Sequence, residues 1–253
     1  MVCNMIVHPK TSADALEQIP RPIVMLQRCG KQGYVTDTHS HIRIQLLYAK
    51  DGLMLAQTNY GSWIVPTGYG LLIPNDLLHT VEMYGTTTMQ SVYITPDRME
   101  LSHPHICKVI QVSPLLNEMM QRFAMTPSLY AKDGADHHLA EMIIHEIKTS
   151  PEASLVLPFP QIPPLKAVCD RLLERPADQK TIDQWAYETG MSRRSFTRNF
   201  RQETGISFDL WRQRLRHQTA LILLAEGQEI QTVAHAVGYQ SVSALKAMMS
   251  RLI

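Results

Sequence analysis

The sequence has few cysteines, and none at a metal or redox spacing. Cys3, Cys29, Cys107 and Cys169 are scattered, and no Cys-x-x-Cys occurs. This speaks against a cysteine-held zinc or a thiol-redox site and reads as reduced thiols in a cytosolic protein. Long apolar runs are missing, as is a charged–apolar–small pattern at the start, so a cytoplasmic chain with no membrane partner is expected. Strong charge of one sign is also absent, the formal net charge being +1. That charge is uneven, with 13 Lys and Arg against 9 Asp and Glu from Gln161 onward. The excess of base at that end fits nucleic-acid contact, though modestly. A hydrophobic content of 45% over 253 residues allows two soluble domains with cores of their own.

The most informative stretch is MSRRSFTRNFRQETG, residues 191–205. Ser192 is suited to cap a helix and Gly205 to stop it. Phe196 and Phe200, four apart, share one face, while at ~100° per residue Arg194, Arg198 and Arg201 fall on roughly the opposite side. Just before it, TIDQWAYETG carries a capping-box pattern in Thr181 and Gln184, with Ile182, Trp185 and Ala186 as a buried face. Two helices about a short glycine-containing turn, the second basic, make a helix-turn-helix. The pattern recurs over residues 229–249, where Ile230, Ala234 and Gly238 stand for Ile182, Ala186 and Gly190, and Leu245 and Met249 stand for Phe196 and Phe200. A solvated charged face explains one such helix; it does not explain two matched units.

Upstream, short β-rich runs fill residues 21–94: Ile23–Leu26, Ile42–Tyr48, Leu53–Gln57, Gly61–Val65, Tyr69–Ile73, His79–Met83 and Thr88–Ile94. Turn signals such as Lys50-Asp51-Gly52 separate them, as in a jelly roll or barrel. His39, His41 and Gln45 have even spacing and are expected on one face of a strand, and PTGYGLLIPNDLLH then supplies His79. Beyond the strands, Ser113-Pro114 opens a helix. Leu139, Met142, Ile143 and Ile147 stripe another, which could pack on the barrel or on a second subunit. Five prolines between Pro151 and Pro164 mark a semi-extended linker. The first helix of the last domain is expected over Leu165–Leu173. A long helix follows, capped by Ser207, with Phe208, Trp211, Leu215 and Ile222 on its buried side and Arg212, Arg214 and Arg216 as candidates for phosphate contact.

Residues 165–249 resemble the DNA-binding domain of AraC/XylS-type transcriptional regulators, through the MSRRSFTRNFRQETG block, the long helix after it and the VAHAVGYQSVSAL block. Residues 38–79 resemble the cupin fold, with His-x-His followed by Gln and then Pro-x-Gly followed by His. Cupin barrels are also the effector domains of many AraC-type regulators. The resemblances imply an α+β chain of two domains: a cupin-like effector-binding barrel over 1–100, a helical dimerisation segment over 101–150, a linker over 151–164 and an AraC-type DNA-binding domain over 165–253. Its helix-turn-helix units occupy 181–204 and 229–251.

The implied function is a sequence-specific transcription regulator that binds the major groove of double-stranded DNA as a homodimer, with RNA polymerase as a further partner. Arg193, Arg194, Thr197, Arg198, Arg201, Arg212, Ser243 and Lys246 are its expected DNA-contacting residues, with Val242 and Ala247 at matching positions of the second unit. His39, His41, Gln45 and His79 are the expected effector site, for a small molecule or a metal; a divalent transition metal is the one cofactor considered. Gln45 stands where metal-binding cupins carry Glu, and an amide is the poorer ligand. The second reading helix is bare at Ala247, and the chain stops at Ile253 where family members run on. The expectation is therefore a poorly packed second unit or a shortened protein, with specificity resting mainly on the first unit. The competing reading is a metal-dependent cupin enzyme with an accessory helical domain; no catalytic residue is assigned.

Overall fold

The structure is a computed structural model that describes residues 16–31, 33–101, 106–153 and 156–250. His103 and His105, read from the sequence as linker histidines, lie outside the described residues. Two compact units divide the chain, the first taking in 1–58 and 65–153, the second 59–64 and 154–253.

The described strands are β1 (Ile23–Gly30), β2 (Ile44–Thr58), β3 (Gly61–Pro66), β4 (Tyr69–Ile73), β5 (Thr80–Ile94), β6 (Lys108–Gln111) and β7 (Val156–Pro158). In the first unit β5 pairs antiparallel with both β1 and β2, and β4 pairs with β2 and β6. Lys50-Asp51-Gly52 does not end a strand. β2 runs on through it, with register shifts against β5 at Ala49/Asp51 and Asp51/Leu53. Gly52 sits at φ +78°, where a Cβ would come within 2.7 Å of the Thr86 carbonyl, so the turn signal is spent on a bulge. The two runs expected at 79–83 and 88–94 are likewise one strand, β5. Closure into a barrel is not seen among the described strands.

Alternation along these strands creates two faces. Ile23, Ile44, Leu46, Tyr48, Val92 and Ile94 pack against helices α1 (Pro114–Phe123) and α2 (Ala135–Thr149). The intervening residues, among them Leu26, Arg28, Gln45, Met89 and Tyr93, line a pocket on the other face. Helix α1 begins as its sequence predicts, with the Ser113 hydroxyl accepting from the Leu116 amide and Pro114 in the first turn. Helix α2 buries Ala140, Ile143, Ile144 and Ile147 and leaves Met142 48% exposed. The apolar stripe is thus rotated from the one expected, because the sheet takes up Ile143 and Ile144 together. Nor is 101–150 wholly helical, since β6 lies within it. Residues 1–20 show little periodicity in sequence and read as a frayed arm, but from Leu16 on the chain is held: Leu16 is buried, and the Glu17 carboxylate accepts from the Ile42 amide at 2.8 Å.

In the second unit, residues 61–63 pair antiparallel with β7, inside the stretch read as linker. Helix α3 (Pro163–Glu174) opens on the last two of the linker prolines, which tolerate the first turn because those positions donate no helical bond. Then follow α4 (Ile182–Glu188), α5 (Arg193–Thr204), α6 (Phe208–Ala225), α7 (Ile230–Ala236) and α8 (Val242–Met249). They enclose two cores, one centred on Trp185, Phe196, Phe200, Phe208 and Trp211, the other on Ala220, Val233, Val237, Leu245 and Met248.

Candidate nucleic-acid interface and histidine pocket

Helix α4 starts with the predicted capping box: the Thr181 hydroxyl accepts from the Gln184 amide, and the Gln184 side chain accepts from the Thr181 amide at 2.8 Å. Gly190, at φ +69°, lets the chain reverse, and the Met191 amide closes the turn onto the Ala186 carbonyl at 2.9 Å. Ser192 caps α5 and Gly205, at φ +75°, ends it. Phe196 and Phe200 are fully buried and meet the edge of Phe208 at centroid distances of 5.1 and 5.2 Å. This aromatic back sets the rotation of α5 about its axis, so Arg194, Arg198 and Arg201 face solvent. With Thr197, Ser207 and Asp209 they line a shallow groove.

The arginines are not equivalent. Arg193 is paired with Asp183 at 3.0 Å. Among the described residues Arg194 and Arg201 have no ion-pair partner, and Arg198 contacts only the neighbouring Asn199 amide oxygen at 3.4 Å. Three guanidinium groups are thus available to phosphates or guanine edges. On α6 the expected phosphate contacts have other employment. Arg212 donates to the Lys180 carbonyl at 2.8 Å, and Arg214 to that of Val156 at 3.2 Å. Arg216 is buried and donates to the Pro176 and Asp178 carbonyls, both at 3.0 Å. These groups tie loops to the long helix, because a buried guanidinium must spend its N–H groups on acceptors.

The second unit repeats the first. Gly238 sits at φ +83° and the Tyr239 amide closes onto the Ala234 carbonyl at 2.8 Å. Leu245 is buried as expected, but Met248 rather than Met249 is its fully buried partner. Ser243, Lys246 and Ala247 are exposed. The expectation of poor packing is not met within the described residues. The unit has a closed apolar core, and Arg216 lies 5.7 Å over the Tyr239 ring.

In the first unit His39, His41 and His79 converge, one ring nitrogen from each lying within 4.8 Å of the others. Strand alternation does not bring them together. β2 begins only at Ile44; His39 joins His79 through an isolated bridge, and residues 40–43 bend His41 in beside them. Each Nδ1 contacts a backbone carbonyl: His39 that of Asp37 at 2.8 Å, His41 that of Arg43 at 2.7 Å, His79 that of Leu77 at 2.8 Å. A carbonyl only accepts, so each Nδ1 carries the proton and each Nε2 keeps a lone pair in the neutral ring. His79 Nε2 is buried with no hydrogen-bond partner. Burial pushes the His79 imidazole down to about 4, against a smaller upward pull from its Leu77 carbonyl bond. Gln45 Oε1 lies 2.9 Å from His41 Nε2, while the Gln45 amide nitrogen donates to Ser91 Oγ at 2.8 Å. Three lone pairs and an amide oxygen fit a transition-metal ion without a carboxylate.

Residues 185–253 match the family model described as a helix-turn-helix domain. The chain is 27% identical over 222 residues to the HTH-type transcriptional regulator NimR of Escherichia coli strain K12, covering 88% of this chain and 81% of that one. It is 33% identical over 129 residues to the HTH-type transcriptional regulator RipA of Corynebacterium glutamicum, covering 51% of this chain and 37% of RipA. Among solved structures it is similar to the DNA-binding domain of AdpA in complex with a target DNA, at 32% identity over 36% of this chain and 82% of that one, with a TM-score of 0.34. Residues 185–253 form a helix-turn-helix domain of the AraC type, and over most of its length the chain resembles transcriptional regulators. With relatives that are named transcriptional regulators it is a DNA-binding regulator and not an enzyme, and the reading as a metal-dependent cupin enzyme finds no support.

Sequence reasoning did not reach part of this regulator's pocket. Arg28, Tyr34, Thr36, Ser40, Met89 and Tyr93 line it beside His39 and Gln45. Arg28 was missed because β1 was expected to end at Leu26; extending the alternation from Val24 and Leu26 by one step would have placed it. Among the described residues no helix is long and apolar enough to cross a membrane.

Proposed function

We propose that the first unit senses an effector at His39, His41, Gln45 and His79 and thereby controls DNA binding by the second. The observation that carries this reading is the convergence of three imidazoles, each fixed by a carbonyl, with His79 Nε2 buried and unpartnered. Structural histidines usually spend both nitrogens, whereas His79 keeps one buried without a partner. A divalent transition metal bound there would supply a Lewis-acidic anchor for a small molecule. In the cytoplasm the regulator acts as a homodimer on double-stranded DNA and engages RNA polymerase from the bound site. On DNA, Arg194, Thr197, Arg198 and Arg201 supply most of the first unit's contacts, and Ser243 and Lys246 those of the second. Arg212 serves the fold first, through its bond to Lys180.

The test is selection of bound sequences from random DNA by the full chain, with and without zinc, nickel, iron or manganese. Enrichment of one bipartite site, with affinity that changes on metal addition and not in a His41→Ala variant, is the expected result. A selected site whose affinity ignores every metal and small molecule tried would remove the sensor role and leave the DNA-binding role standing.

A further inference from the structure

We propose that the effector is a small organic carboxylate, its anionic group held by Arg28 in the wall of the pocket that His39 and Gln45 also line. This rests on the reading of that pocket as the effector site. Arg28 follows Val24 and Leu26 on the pocket-facing side of β1 and pairs across to Met89 of β5. Its neighbours on that face, Leu26, Met89, Ser91, Tyr93 and Gln45, are all uncharged. Among the described residues the guanidinium has neither an ion-pair nor a hydrogen-bond partner. Asp37 is the one acid in the lining; it is exposed and makes no ion pair with Arg28. An arginine half-buried on a neutral face takes its counter-ion from what binds there.

The histidine cluster, which shares His39 with this pocket, asks for the same charge. Imidazole and amide ligands carry no negative charge to offset a bound dication, where a glutamate at 45 would have offset it. An anion from solution completes such a site. A single planar fork suits a carboxylate, which accepts two parallel N–H bonds; a phosphate dianion would call for further cations, and Arg28 is the one Lys or Arg in the lining. Leu26, Val81 and Met89 supply apolar wall for a hydrocarbon body, and Tyr34 and Tyr93 supply ring faces.

The experiment uses the purified full chain, apo and zinc-loaded. Aliphatic and aromatic monocarboxylates of roughly two to eight carbons, a size range for a pocket of this kind, are titrated by calorimetry beside their matched neutral amides. At least one acid binds with its amide failing, and Arg28→Gln weakens that acid about 10- to 100-fold, the worth of hydrogen bonds to a charged group. Arg28→Lys retains part of the affinity, since it keeps the charge and loses the fork. Circular dichroism of each variant, matching the parent, establishes that it is folded. Amides binding as tightly as acids, an Arg28→Gln variant binding the acid undiminished, or no acid binding at all overturns the proposal. Zinc uptake is read separately. Acid binding through Arg28 in a protein that takes no metal sinks the metal reading alone, whereas metal uptake without any acid binding sinks this one alone.

Discussion

His41 Nε2 faces Gln45 Oε1 at 2.9 Å, two acceptors in contact when the neutral His41 ring carries its one N–H at Nδ1, donated to the Arg43 carbonyl. Two arrangements relieve this. The amide can turn over, so that its nitrogen donates to His41 and the Ser91 hydroxyl donates to its oxygen, because a hydroxyl serves either way. Alternatively a cation sits between the two atoms. Gln45→Glu decides between them: a carboxylate cannot donate to His41 but is a strong metal ligand. We expect Gln45→Glu to tighten zinc or nickel uptake roughly tenfold or more, measured by competition against a chelator. Unchanged or weaker uptake would mean that position 45 is not a ligand.

DNA contact by α5 is tested at Arg198. With Phe196 and Phe200 fixing the helix, Arg198→Ala should cost about 1–3 kcal/mol on the selected site and relax preference at one base pair. Lys246→Ala in the second unit should cost less. Arg212→Ala should behave unlike both, losing roughly 1 kcal/mol of folding stability through its Lys180 bond with the salt slope of DNA binding unchanged. A slope reduced by about one unit would restore Arg212 to the phosphate contacts.

Arg216 is the brace of the second helix-turn-helix, bonded to two carbonyls and stacked on Tyr239. Arg216→Met should destabilise the second unit by at least about 2 kcal/mol, since it strands two acceptors, and should abolish high-affinity DNA binding. Urea melts followed by tryptophan fluorescence report on this unit, because Trp63, Trp185 and Trp211 all lie in it. A variant as stable as its parent would show that the brace is dispensable.

Acid should weaken the second unit through His217, whose imidazole burial holds below its ordinary range. Above the unfolded value near 6.5 neither state is protonated and the shift has no effect. As pH falls below it, the unfolded chain binds a proton that the folded one refuses, so stability declines until the folded value is reached. His217→Gln should therefore flatten the decline in tryptophan-detected stability between pH values of about 7 and 5. Parallel curves for parent and variant would put the acid sensitivity elsewhere.

Met142 remains the residue to test for a dimer face. It is exposed on α2, while Ile143 is spent on the core of its own unit. Met142→Glu should yield a folded monomer in sedimentation, because a charge buried without a partner at an interface is costly. A surviving dimer would move the interface off this helix.

The helix-turn-helix units were legible from the sequence alone because their signals are local. Thr181, Ser192 and Ser207 cap helices through atoms three residues away, Gly190 and Gly238 mark left-handed turns, and Phe196 and Phe200 share a face by helical period. What the sequence could not say is where side chains go when two distant segments compete for them. Arg212, Arg214 and Arg216 read as phosphate contacts by charge and periodicity, yet carbonyls 32 to 58 residues away claim them. Gly52 signals a turn, but whether it ends a strand or bulges one depends on the partner strand β5. The three histidines converge, but a bend before β2, and not strand alternation, brings His41 beside His39 and His79. Local hydrogen bonds leave their pattern in neighbouring residues; long-range pairing is decided by which acceptors and surfaces the folded chain leaves unsatisfied.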